Sequence, residues 1–267
     1  MKRCILLSFV LALLMASLPA QVGTPKIGVA RYADSSVRTV FGLSDNFIVS
    51  AQTLASADAA SFSDSGGLLS KSGHIQLIAP SGKILAEYNS GEPMPVLNVD
   101  GDLTSAIAWL PTRYALVHWN GKSFVSTTVN ARLLGSVTAV RAGNSKTARL
   151  LLAEPNGVVS EAAISLDTGD LVSLNVLPGI VPPAFVQHGF VLFHDEHGLE
   201  IASASGALRT VPLAASDLTF ERMSSDWLHL ASRSMKQNWA LHLTNTILEL
   251  SELPPPSPAR ATEEGQP

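Results

Sequence analysis

The stretch H-D-E-H-G at 194–198, with His188 six residues before it, sets two imidazoles and two carboxylates within four positions. Imidazole and carboxylate together bind zinc or another divalent ion. His194 and His197 are therefore candidate metal ligands, and Asp195 joins them as a candidate binding residue. Neither H-E-x-x-H nor H-x-x-E-H is present, since Phe193 stands where the second pattern needs a histidine. The competing expectation for such a run is a polar, solvated turn. No cofactor is expected, and a divalent metal is the one alternative.

Two further motifs look reactive and read better as turns. S-D-S-G-G at 63–67 is one residue away from the G-D-S-G-G around the nucleophile of trypsin-like proteases. A serine nucleophile needs a histidine to take its proton, and in those enzymes that histidine comes earlier in the chain. Here the first histidine is His74, so these residues are expected to form a tight turn. G-K-S at 121–123 lacks the glycine a phosphate loop needs five residues before Gly121, where Leu116 stands. His229 and His242 sit within apolar runs, WLHLAS and WALHL, and are expected as satisfied core histidines. Trp109, Trp119, Trp227 and Trp239 fall on expected strands, with packing as their default role.

The elements that must position these residues are hairpins. AISLDTGDLVSLNV at 163–176 joins two apolar runs through a D-T-G-D turn, and four other segments align with it. They are IQLIAPSGKILAEYN around Gly82, ALVHWNGKSFVSTTV around Gly121, LEIASASGALRTVPL around Gly206 and WALHLTNTILELSEL around Asn245. The turn positions are 39, 48, 37 and 39 residues apart, a period that marks a repeat architecture. Ser-Gly, Asn-Gly, Thr-Gly and Asn-Thr are residue pairs expected to take positive φ at low cost. Upstream of each turn lies a run apolar on both faces, GGLLS, SAIAWL, RLLLAE, FVLFHD or WLHLAS, as expected of a strand sandwiched between neighbouring sheets. A shorter segment precedes each run, and the segment after each turn alternates with polar residues.

Four strands per repeat of about 40 residues is the blade of a β-propeller. The spacing places five blades at 59–90, 95–130, 136–177, 184–213 and 217–252. IGVARYA, VRTVFGL and NFIVSA add up to three strands before them, either as a partial sixth blade or as the strand that closes the ring. A β-sandwich is the alternative all-β fold, because short strands at regular spacing also suit it. The hairpins AISLDTGDLVSLNV and LIAPSGKILAEY resemble those of quinoprotein-like and related bacterial envelope propellers, which carry a Thr-Gly or Ser-Gly turn between strands. The tryptophan usual after that turn is replaced here by Leu174 or Tyr88. The resemblance implies the propeller superfamily and carries over no functional residue.

In a propeller, the turns between second and third strands share one face with the linkers between blades. On this chain that face collects Arg113 and Tyr114, Glu154 and Asn156, His194 to His197, and Arg233 to Lys236, with the linkers NSGEPMP and PGIVPPA. Arg113, Tyr114, Glu154, His194, Asp195, His197 and Arg233 are the expected binding residues. Their mixed charge suits a protein or carbohydrate partner. Nucleic acid is not expected, because removing Lys2, Arg3 and no acid with a signal peptide takes the formal charge from -4 to -6.

The signal peptide is expected over 1–20: Lys2 and Arg3 precede an apolar run from Ile5 to Met15, about half the roughly 20 residues a membrane span requires, with cleavage near Ala20. Cys4 is the only cysteine and lies inside that segment. The core, not disulfides, must then stabilise the exported domain expected over 21–253. A proline-rich, disordered tail is expected over 254–267, and no further segment is apolar enough to span a membrane. These expectations add up to an exported, non-enzymatic binding or scaffold module of the envelope or extracellular space. The alternative is a hydrolase, lyase or metal-dependent enzyme with its site in the propeller's central channel.

Overall fold

The computed structural model describes residues 24–256, apart from 131 and 145. The expected signal peptide and most of the expected tail lie outside the described residues. Six antiparallel sheets follow one another in chain order, and no strand passes from one sheet to another. Blade one has three strands, Lys26–Arg31, Ser36–Leu43 and Asn46–Ser56. The five four-stranded blades that follow occupy 59–89, 96–128, 136–177, 184–211 and 218–253. Among the described residues the one helical element is a 3-10 turn, Leu103–Ser105, started by Asp102 accepting from Thr104 N at 2.9 Å. No helix there is long and apolar enough to cross a membrane.

The core is divided into six apolar clusters, one at each interface around a closed ring. Blade four shows why its second strand, Thr147–Ala153, is apolar on both faces. Leu150 and Leu152 pack against Ile107, Trp109 and Leu116 of blade three, while the intervening Leu151 packs with Val186 and Phe193 of blade five. Because strand side chains alternate, a blade between two neighbours must be apolar on both sides. A sandwich would hold a single core between two sheets, so the alternative fold is excluded. The sixth cluster closes the ring: Ile27, Val40, Phe47 and Val49 of blade one meet Met223, Ala240 and Leu253 of blade six.

The hairpin turns take the conformation their residues favour at four of five places, with Gly82, Gly121, Gly169 and Gly206 all at positive φ. Gly169 is the most constrained: a Cβ there would fall onto the Thr128 carbonyl of blade three, while its own carbonyl accepts from Asn130 N at 2.9 Å. The fifth turn departs from expectation. Neither Asn245 nor Thr246 takes positive φ; Thr244 Oγ1 instead accepts from Thr246 N at 3.2 Å and Ile247 N at 3.0 Å.

Blade one is a sheet of its own, and it lacks the innermost strand. Ile27 and Val29 lie beside Ser224 and Met223, and Arg31 beside Glu221. Its first strand thus runs antiparallel to the first strand of blade six, Leu218–Arg222, as the second strand of every other blade does. Strand count agrees, since three antiparallel strands leave blade two's first strand, Ala59–Ser63, running opposite to Lys26–Arg31. The first strands of blades six and two touch directly where blade one's missing strand would stand.

Candidate binding cleft between blades six and one

The flank of blade six that faces blade one is apolar at one end and polar at the other. Met223 and Trp227 supply the apolar end, with Trp227 edge-on to Phe47 at 5.7 Å and stacked on His242 at 4.3 Å. At the polar end, the period of two along Leu218–Arg222 turns Thr219 and Glu221 to the same side. Register places Glu221 opposite His229 and Thr219 opposite Ala231, with Asn238 opposite Ala231 on the next strand. The end of blade one's first strand brings Arg31, Tyr32 and Ala33 against them. Together they line a cavity of about 550 Å³ whose rim carries Arg233, Lys236 and Gln237.

Glu221 joins the two blades. Arg31 Nε and Nη2 both donate to its Oε1, at 2.8 and 2.5 Å, across 190 residues of sequence. Oε2 is buried without a partner. Burial raises the Glu221 pKa, with the Arg31 charge and hydrogen bond opposing. His229 is 3% exposed and bonded through Nε2 to Asn238 Oδ1 at 2.9 Å. Burial lowers its pKa to about 4, so it is neutral at pH 7, with Nε2 as the donor and Nδ1 free to accept. The Tyr32 ring tilts against His229 at 5.6 Å. Its hydroxyl has no partner although the residue is 2% exposed, and burial raises its pKa. Buried polar atoms without partners are uncommon in folded proteins and call for a specific cause.

The rim is braced from outside. Asp217 Oδ1 accepts from Ser232 Oγ at 2.5 Å and Ser234 Oγ at 2.9 Å, and Oδ2 accepts from Ser234 N at 2.8 Å. These bonds hold the Asp217 pKa down at about 2 and fix the turn on both sides of Arg233. A second cavity, of about 640 Å³, shares Arg31, Ala33 and Arg233 with the first. It runs over blade one's turn to Asp58, Ser72 and the linker residues Gly91, Pro93 and Met94.

Of the residues expected on the binding face, only Arg233 and Lys236 line this cleft. Arg113 lies over Gly91. Tyr114 is committed to structure: its hydroxyl accepts from Leu133 N at 2.7 Å, its ring meets Trp109 edge-on at 5.1 Å, and its φ is 53°. Glu154 Oε1 accepts from Ser160 Oγ at 2.6 Å. His194 and His197 do not converge, because His194 Nε2 pairs with Leu213 O at 3.0 Å. The ligand-type atoms that come within 4.8 Å of one another belong to Asp195, His197 and Glu200 instead. Asp195 accepts from His197 N at 2.8 Å and Glu200 from Thr210 Oγ1 at 3.0 Å. Ser63 and Ser65 form the tight turn expected of S-D-S-G-G, with Ser65 N donating to Ser63 Oγ at 3.3 Å. His229 was expected as a satisfied core histidine and is one, but it also forms part of the cleft floor. The signal available was Glu221, a charge on a strand sandwiched between blades.

One ion pair spans the central channel. Arg222, 2% exposed, donates from Nη1 to Asp100 Oδ1 at 2.9 Å. Blades six and three are opposite in a ring of six, so this ion pair crosses the axis. Arg222 Nη2 also reaches Val186 O at 3.4 Å on blade five.

The fold and the cleft together define a six-bladed β-propeller with a polar pocket where its first and last blades meet. No protein-family model matches the sequence, and no curated protein matches it. Solved structures similar to it include hydrazine synthase of Kuenenia stuttgartiensis, at 14% identity over 84% of this chain and 79% of that one, with a TM-score of 0.46. BamB from Moraxella catarrhalis is 16% identical over 86% and 80%, with a TM-score of 0.37. A lectin of Aleuria aurantia in complex with Fucα1-6GlcNAc is 12% identical over 87% and 93%, with a TM-score of 0.47. Likenesses at this level assign neither a ligand nor a reaction.

Proposed function

We propose that this chain is an exported, non-enzymatic β-propeller that works as a binding module, with its ligand seated in the cleft between blades six and one. The observation that carries the reading is the pair of buried, unpartnered polar atoms, Tyr32 Oη and Glu221 Oε2, on two residues that line an open cavity. Recognition sites combine a preformed hollow with a few well-placed polar groups. Of the ionisable groups here, Glu221 is held by Arg31 and His229 by Asn238, an arrangement suited to holding a ligand. Export rests on the basic and apolar start of the chain.

Two measurements test this reading on protein expressed with its full N-terminus. Intact mass of the exported chain is expected to correspond to a start at or within a few residues of Gln21. Native mass spectrometry after mild purification is expected to show a retained ligand or partner, and Arg233→Glu combined with Lys236→Glu to lose it. Retention unaffected by those changes, or a chain that keeps its first twenty residues and stays in the cytoplasm, would overturn it.

A further inference from the structure

We propose that the cleft takes a small hydroxylated carboxylate of the uronic acid class, with its carboxylate on Arg233 and Lys236 and its hydroxyls against Tyr32, Glu221 and His229. The proposal rests on the binding-module reading and narrows it to one ligand chemistry.

Charge is the first argument. Three cations, Arg31, Arg233 and Lys236, line the cavity against one carboxylate, Glu221, leaving a formal excess of two positive charges. Arg31 is paired with Glu221; Arg233 and Lys236 have no carboxylate partner among the described residues. The Asp217 bonds to Ser232 and Ser234 brace the turn that carries both cations. A cation pair beside a desolvated floor favours a carboxylate or phosphate.

The floor then selects among anions. Tyr32 Oη can donate or accept, Glu221 Oε2 can accept, and neutral His229 offers Nδ1 as an acceptor. A bare anion such as acetate would leave all three unpaired, whereas vicinal hydroxyls supply donors and acceptors together. The 550 Å³ cavity is of the size that holds a small molecule. The adjoining hollow toward Met94 continues past the shared Arg31 and Arg233, leaving room for further sugar units.

Calorimetric titration of the purified mature protein with D-galacturonate, galactose, acetate and galactose 6-phosphate tests the proposal. Galacturonate is expected to bind at least about tenfold more tightly than galactose or acetate, the worth of one charge-assisted hydrogen bond set. Arg233→Gln with Lys236→Gln is expected to remove that preference. Both side chains are exposed, so an unchanged melting temperature will show that this variant is folded. Tyr32→Phe is expected to weaken galacturonate several-fold without restoring binding of acetate. Galacturonate binding no better than galactose or acetate, tighter binding of the phosphate, or a preference that survives the double change would each overturn the ligand class. The broader reading fails separately: a protein that ignores every sugar but retains an envelope partner is still a binding module. One that consumes galacturonate keeps the ligand class and is an enzyme.

Discussion

Blades five and six carry equivalent turns on the same face of the ring, and they differ in almost every respect that matters for binding. The blade-five turn, His194 to Gly198, has the denser set of titratable groups and opens on a broad hollow of about 790 Å³. Its groups satisfy one another in solvent, and the strands beneath it bury Leu192 and Leu199 in a continuous apolar interface. The blade-six turn, Arg233 to Lys236, has only two charges, but beneath it lie a buried carboxylate, a neutral imidazole and a phenol. Blade five faces complete four-stranded neighbours on both sides. Blade six faces blade one, which has no inner strand, and polar side chains line the space left at that end. A gap in the architecture, rather than a cluster in the sequence, creates the better candidate site.

The sharpest way to break this comparison is at the joint itself. Glu221→Ala leaves Arg31 without its partner in a partly buried interface, with side-chain exposures of 22% and 17% for the pair. Loss of one member of such a pair is expected to cost about 3 kcal/mol, seen as a fall of roughly 6–12 °C in Tm at this chain length. An unchanged Tm would mean that the apolar cluster closes the ring unaided.

The histidines of the two blades are expected to titrate in opposite directions. His229 has a depressed folded pKa near 4, so its neutral burial contributes stability that is complete above its unfolded pKa of about 6.5. That contribution is lost as the pH falls toward 4, on the order of 3 kcal/mol. Glu221, with its raised pKa, works the other way, contributing stability that is lost as the pH rises above its ordinary range. His197 is raised by its hydrogen bond to Asp195, so its contribution is present below 6.5 and lost above it, and solvent keeps it small. Imidazole proton shifts at pH 5.5 should show His229 neutral and His197 charged. Finding both charged would place His229 in contact with water and remove the floor of the cleft. His229→Gln should flatten the acid limb of stability.

Two smaller effects sharpen the contrast. Tyr32→Phe removes an unpartnered buried hydroxyl, so it is expected to leave stability unchanged or raise it by up to about 1 kcal/mol, even as it weakens ligand binding. A marked loss of stability would reveal a structural bond to that hydroxyl. His197→Ala is expected to leave Tm unchanged, and added zinc to leave the wild type unchanged as well. A zinc-dependent rise in Tm that vanishes in His197→Ala would reverse the ranking of the two turns.

Much of the architecture was legible in local pattern. The runs GGLLS, RLLLAE and WLHLAS are apolar on both faces because each lies between two neighbouring blades, and that burial leaves its mark at single-residue spacing. Thr168-Gly169 and Asn120-Gly121 announce their turns because positive φ is a property of one residue. The site was legible only in the turn that carries Arg233 and Lys236. Its remaining members come from both ends of the chain, and Arg31 meets Glu221 across 190 residues, a separation at which spacing carries no signal. His229 looks like a core residue because it is one; only its neighbours make it part of a cleft.

The strands, the four-stranded repeat and the face on which the variable turns lie are local properties, since each follows from side-chain alternation and turn chemistry within a few residues. Only in three dimensions do the leading strands become a separate three-stranded blade, Arg222 and Asp100 pair across the centre, and one turn come to overlie a polar cavity. Those outcomes depend on how six sheets share a ring with one strand missing, and ring closure is set by contacts between residues that no local pattern connects.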